Sequence, residues 1–189
     1  MEFLKALTER RAKRAISSEK LPAGALELIL EAGTLAPSCF NSQSWRIVAA
    51  TEENSLPALR EALATGNAWA QKAPAIIVIT AKEADDCRLD EGRDYALFDA
   101  GLYSMALMAQ ATAIGLIAHP IAGYKVSKVR KALNIPKDQI VITLIIVGMP
   151  GTKEDMEILT PSQLAEEEGP RTRKPMSEVI FKGAWGQGF

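Results

Sequence analysis

Between positions 36 and 45 the chain reads Ala-Pro-Ser-Cys-Phe-Asn-Ser-Gln-Ser-Trp. A run with helical periodicity precedes this stretch and a short β-branched run follows it, a junction that normally needs only a few residues of turn chemistry. Here it carries hydroxyls, a thiol and two carboxamides, each carboxamide offering both donor and acceptor. That capacity suits a loop that holds a polar, planar ligand, the plainer alternative being a serine-rich turn. Two further sets could serve a ligand. Arg10, Arg11 and Arg14 lie near the N-terminus, and Arg171 and Arg173 near the C-terminus. Guanidinium forks match phosphate oxygens in a way that ammonium groups do not, so the two sets could converge on one phosphate. Either set alone also reads as ordinary surface charge.

Other chemistries lack their usual supports. No GxGxxG follows a strand, and neither a P-loop nor a GxSxG elbow is present. The single histidine, His119, stands beside Pro120 without an acidic neighbour, so it reads as structural and a histidine-based metal site is not expected. Cys39 and Cys87 have no CxxC or metal-type spacing, and the first residues do not resemble a secretory leader, so free thiols in a cytoplasmic protein are expected. A net charge of −1 and 6% aromatic residues argue against nucleic acid or an anionic membrane as partner.

The elements that must position these residues follow from periodicity. Residues 2–14 read as a short helix ending in the basic cluster, where cations suit the negative end of the dipole. A second helix is expected from Pro22 to about Ala36, with Leu26, Ile29, Leu30 and Gly33 at helical spacing. A strand over 46–51, a surface helix over 55–64 and a strand over 75–81 come next, the last apolar on both faces and so covered on both sides. Residues 82–93 are charged and irregular. The segment 95–118 has Asp99 as its only charge; its polar interruptions point to a buried helix rather than a membrane span. A helix over 126–133 and a strand over 139–147 follow. From residue 152 apolar periodicity fades, and such a tail is expected to lie across another part of the molecule or a partner. With 189 residues, 48% of them hydrophobic, the chain suits one domain over 1–189 with a sizeable core. Helices and strands mix without regular βαβ alternation, which indicates an α+β fold.

Taken in order, R-R-A-K-R, A-P-S-C-F-N-S-Q-S-W, G-N before a central strand, P-I-A-G-Y and R-T-R-K-P resemble the nitroreductase family of FMN-dependent oxidoreductases. The resemblance spans about residues 8–180. It implies a mostly antiparallel sheet flanked by helices, a long buried helix at a homodimer interface, and a tail (about 152–189) wrapping over the partner. It also implies FMN contacts residue by residue: Arg10, Arg11, Ala12 and Arg14 at the phosphate and pyrimidine side, with Ala12 in place of the usual serine. Pro37, Ser38, Cys39, Asn41 and Gln43 match the flavin-contacting loop, Cys39 replacing a serine and Ser44 a proline. Asn67 matches a pyrimidine-edge asparagine. Pro120, Ile121 and Gly123 match a turn under the isoalloxazine, with Ala122 where several members carry glutamate. Arg171 and Arg173 match a phosphate pair.

The implied activity is ping-pong hydride transfer from NADH or NADPH through flavin N5 to an electron-poor acceptor such as a nitroaromatic or quinone. The flavin carries the chemistry, so no side chain is assigned as acid or base. Two alternatives remain at this stage: a flavin sensor or carrier without useful turnover, and an unrelated flavin reaction on the same fold.

Overall fold

A computed structural model describes residues 1–87 and 89–188. The elements in chain order are α1 (Lys5–Glu9), α2 (Ala25–Thr34), β1 (Trp45–Thr51), α3 (Leu56–Arg60), β2 (Ala75–Ala81), α4 (Ala96–Ala113), β3 (Ile117–Ile121), α5 (Val126–Leu133), β4 (Ile140–Gly148), α6 (Pro161–Glu168) and α7 (Met176–Val179). Four strands form an antiparallel sheet in the order β1-β2-β4-β3.

Every residue of β2 is buried, as its unbroken apolar run requires of a central strand. The two-residue period of the strand divides that run between two cores. Ile76 and Val78, with Leu144 and Ile146 of β4, pack beneath Leu56 and Leu59 of α3, Val129 of α5 and Trp69. Ile77 and Ile79, with Ile145 and Val147, pack against Ile29 of α2 and Tyr103, Leu107 and Ala111 of α4. Helices α2 and α4 meet at Gly33, where a Cβ would come within 2.4 Å of the Tyr103 ring. The Tyr103 hydroxyl donates to the Leu30 carbonyl at 2.9 Å, which satisfies its only polar atom.

Several expected boundaries move. Helix α1 stops at Glu9, and Arg10 is already extended (φ −55°, ψ 121°), so the basic cluster lies on an extended segment beyond the helix. Helix α2 begins at Ala25 after a left-handed Gly24 (φ 75°), and Pro22 sits in the preceding turn, its carbonyl accepting from the Ala25 N–H. The surface helix contracts to Leu56–Arg60. The apolar segment 95–118 divides into α4 and β3, because Gly115 (φ 80°) turns the chain after Ala113. Its last residues therefore belong to a strand. Pro120 is tolerated there because β3 is an edge of the sheet.

Helix α4 buries one face, from Ala96 through Tyr103 and Leu107 to Ala111, while Leu97 and Phe98 remain about half exposed. Among the described residues, no helix is long and apolar enough to cross a membrane. Beyond α6 the tail is largely exposed. Trp185 is 92% accessible, and its ring meets that of Phe181 in the same tail at a separation of 5.0 Å.

Candidate functional site

The two chain ends do converge. Arg10, Arg11, Ala12 and Arg14 line a cleft of about 210 Å³ together with Glu166, Pro170, Arg171, Thr172 and Arg173. What holds them there is one carboxylate of the acidic run 166–168, which residue type alone does not single out. Glu167 is buried, and its Oε2 accepts the Arg14 N–H at 2.8 Å while Oε1 accepts the Ala15 N–H at 3.4 Å. Lys13 approaches the same carboxylate, 3.8 Å from Oε1. Beyond this clamp, Ser17 donates to the Met149 carbonyl and Gly151 to the Ala15 carbonyl, which ties the segment to the end of β4.

The arginines are not equivalent. Arg11 donates to the carbonyls of Glu166 and Gly169 at 3.1 and 2.9 Å. Arg171 donates to the carbonyls of Leu7 and Thr8 at 3.1 and 2.7 Å and also to that of Arg10, covering orphan acceptors at the end of α1. Arg14 pairs with Glu166 at 2.8 Å. Arg10 and Arg173 carry the least structural duty: the hydrogen bond found for the Arg173 side chain is to the neighbouring Thr172 carbonyl. Partial burial, followed by repulsion from Arg171, Arg173 and Arg11, lowers the Arg10 pKa. Cations gathered this closely suit an anion as their partner.

Asn67 and the 120–123 segment belong to the same region. Asn67 donates from Nδ2 to the Gly123 carbonyl at 2.9 Å. A Cβ at Gly123 would lie 2.6 Å from that Nδ2, so the glycine admits the Asn67 side chain. Gln163 of α6 donates to the Gly66 carbonyl at 2.8 Å, linking this turn to the helix that carries Glu166 and Glu167. His119 is buried with Nδ1 2.9 Å from the Lys13 carbonyl, which requires Nδ1 to carry the proton. Burial lowers its pKa, and its ring stacks at 4.7 Å on Trp69. It acts as a post for the basic segment, in line with the structural role expected.

The loop 36–44 stands elsewhere. Its residues hold one another: Ser38 Oγ accepts the Gln43 N–H at 3.0 Å, and Gln43 Nε2 donates to Asn41 Oδ1 at 3.1 Å. Phe40, Asn41 and Gln43 all take positive φ (49°, 56° and 48°), a conformation that non-glycine residues adopt at a cost. Two aspartates and a cross-link impose it. Asp99 of α4 accepts the Cys39 N–H at 2.8 Å, and Asp86 accepts the Ser42 and Ser44 hydroxyls at 2.7 and 3.2 Å. Cys39 and Cys87 are joined as a disulfide, which overturns the expectation of free thiols. Forty-eight residues separate them in sequence, so only tertiary folding could show that they meet.

Thus the candidate residues form two groups. The loop enters β1 beside the Ala81 and Ile140 end of the sheet and packs toward α4. Asn67 and Gly123 flank the opposite edge on the other face, and Lys13 meets His119, which pairs with Ile146. Strand geometry puts roughly 20 Å along the strands and about 14 Å across them between Trp45 and His119. Within one chain the two groups thus lie at opposite edges of the sheet.

The family profile for the nitroreductase family matches residues 7–71 and 61–149. The chain belongs to the nitroreductase family. A Thermus thermophilus relative named NADH dehydrogenase is 30% identical over 206 residues, covering 93% of each chain. The Bacillus subtilis protein named FMN reductase [NAD(P)H] is 24% identical, covering 86% of this chain and 71% of its own. A solved structure described as an oxidoreductase containing FMN superposes with a TM-score of 0.84 at 28% identity, covering 99% of this chain and 94% of that one. The family fold expected from the motifs is therefore the fold observed.

Proposed function

We propose that the protein is an FMN-dependent oxidoreductase that passes reducing equivalents from NADH or NADPH to an electron-poor acceptor such as a nitroaromatic or quinone. The observation that carries this reading is the crowded cleft of Arg10, Arg11, Arg14, Arg171 and Arg173, whose mutual repulsion an anionic phosphate would relieve. Relatives named for FMN and NAD(P)H chemistry support the choice of cofactor and donor.

The donor set fits that cofactor. Arg10 and Arg173, the least committed guanidinium groups, would hold its phosphate, with Arg14 beside them and Arg11, Arg171 and the Ala12 backbone shaping the cleft. Asn67, already oriented by Gly123, would bond the pyrimidine edge, and Pro120 and Ile121 would lie under the ring. When bound, the flavin supplies the hydride chemistry. The chain binds, orients and excludes water, and its fixed positive charge favours the reduced, anionic cofactor without reorganisation. Ala122 puts no carboxylate at the ring, which leaves room for acceptors of either charge.

The separation of the two groups supports a homodimer in which Pro37, Ser38, Cys39, Asn41 and Gln43 of one copy complete the site of the other. The half-exposed Leu97 and Phe98 of α4 supply an apolar face for that contact. The tail from about residue 152, with Met176, Val179 and Trp185 exposed, would lie over the partner as part of the single 1–189 domain. A cytoplasmic setting suits an NAD(P)H-using enzyme. The test is a titration of purified protein with FMN, followed by NADH or NADPH without oxygen. Binding with bleaching of the flavin absorbance is expected. A protein that takes up no FMN would overturn the proposal, and one that binds FMN but is reduced by neither nucleotide would be a flavin carrier instead.

A further inference from the structure

The Cys39–Cys87 disulfide is a constituent of the loop and also a cross-link between it and the charged segment that follows β2. Both cysteines are half-buried in the single chain, and the Cys87 side opens into a cleft whose lining shares no residue with the α4 face proposed for the partner contact. Cys39 lines a cleft of about 420 Å³ with Pro37, Phe98 and Asp99, and Cys87 lines another of about 400 Å³ with Glu83 and Asp94. Leu89 and Arg93 line both, so the sulfurs sit between two openings. A buried structural cross-link would show neither. Arg93 is also a cation of the kind that favours a thiolate during exchange.

What the bond restrains is equally specific. Phe40, Asn41 and Gln43 hold positive φ directly after Cys39, and Phe40 is 92% exposed, so packing does not keep it in that conformation. On the other side of the bond, the Cys87 N–H donates to Asp86 Oδ1 at 2.7 Å, the oxygen that also accepts from Ser42. The cross-link therefore aligns Asp86 with the two serines it holds. A loop with unfavourable backbone angles stays in place only while its surroundings over-determine it.

We propose that Cys39 and Cys87 form a reversible redox site whose substrate is a dithiol, either a small molecule or a protein of the CxxC type, and that opening it releases the loop 38–44. A thiolate of the dithiol attacks one sulfur and forms a mixed disulfide while the other cysteine leaves as thiolate. The second thiol of the dithiol then displaces the first cysteine. The dithiol becomes a disulfide, having given up two electrons and two protons, and Cys39 and Cys87 become thiols. Because the same loop is one wall of the proposed FMN site, this inference also rests on that reading for its effect on flavin binding: reduction lowers FMN affinity.

The experiment separates the two. Thiols are counted in the native, air-purified protein before and after equilibration with dithiothreitol, and hydrogen exchange is followed at Cys39, Ser42 and Gln43 in FMN-free protein. No free thiol before, two after, full reversal on reoxidation and faster exchange at those amides in the reduced protein are expected. Thiols that are free in air, a disulfide reducible only after denaturation, or unchanged exchange would overturn the redox site, whatever FMN does. FMN titration of the oxidised protein, the reduced protein and Cys87→Ala is expected to show about tenfold weaker binding in the last two. Equal affinity in all three would overturn control of the flavin site. FMN binding in none of them would overturn the function proposed above and the control with it, while the thiol count and exchange rates would still decide the redox site.

Discussion

The two halves of the candidate site are held by opposite means. The basic half is anchored from inside: buried Glu167, the backbone carbonyls that receive Arg11 and Arg171, and bonds to the end of β4 fix it without unusual backbone angles. The loop half is anchored from its rim by Asp86, Asp99 and a disulfide, and it holds three non-glycine residues at positive φ. A segment that meets a charged phosphate gains from rigid carbonyl staples, since an ion's partners must not move as it arrives. A segment that faces a variable planar ligand gains from tethers that can be adjusted or released. The difference suggests that affinity resides in the first half and adaptability in the second.

Four perturbations test that contrast. Arg173→Ala is expected to weaken FMN binding by about 1.5–3 kcal/mol, the range for a hydrogen bond to a charged group, with little loss of thermal stability because its side chain props up little else. Unchanged affinity in a flavin titration would remove Arg173 from the site. Glu167→Ala should act on the fold first, since it orphans the Arg14 and Ala15 amides at a cost of about 1–3 kcal/mol. Urea denaturation measures this, and an equally stable variant would mean the basic half is not anchored through Glu167.

In the loop half, Asp99→Asn is expected to have an effect that depends on pH. Burial raises the Asp99 pKa above the ordinary 3.8, the Cys39 N–H opposes that shift and Asp86 adds to it. A carboxyl with a raised folded pKa contributes most when protonated, and that contribution is lost as pH rises through the folded value. The asparagine variant keeps an acceptor for the Cys39 N–H, so it should match the wild type in acid and melt at a higher temperature at neutral pH. Melting curves that do not diverge with pH would show that Asp99 carries no such cost. The smallest effect is expected from Phe40→Asn. Asparagine tolerates the left-handed region better, and an exposed phenyl ring is lost without penalty, so stability should rise by up to about 1 kcal/mol. A loss of stability would mean that Phe40 packs on something the single chain does not contain.

Much of the fold was legible in the residues. The unbroken β-branched run at 75–81 required a central strand, and it is one. Boundaries were less legible where one apolar stretch serves two elements: nothing in the composition of 95–118 distinguishes Ala113 from Ile117, and Gly115 decides it through its backbone angle. The site residues could be collected from type and order alone, but their roles could not. Arg11 and Arg171 look like Arg10 and Arg173 in sequence, and their division into staples and free cations depends on which carbonyls folding brings near. Glu167 reads as one of three consecutive acids, and its burial comes from the placement of α6 against the N-terminal segment.

The sequence by itself thus determined the hydrophobic pattern that builds the sheet, the polar and basic residues available to a ligand, and the order of motifs that marks the family. Those are properties of residue type and spacing, which act locally. Tertiary structure alone decided that Cys39 meets Cys87, that Glu167 grips the basic segment, and that the loop and the arginines lie on opposite edges of one sheet. Each of these depends on bringing together groups tens to more than a hundred residues apart, and it is the packing of the whole core that offsets the entropy of doing so.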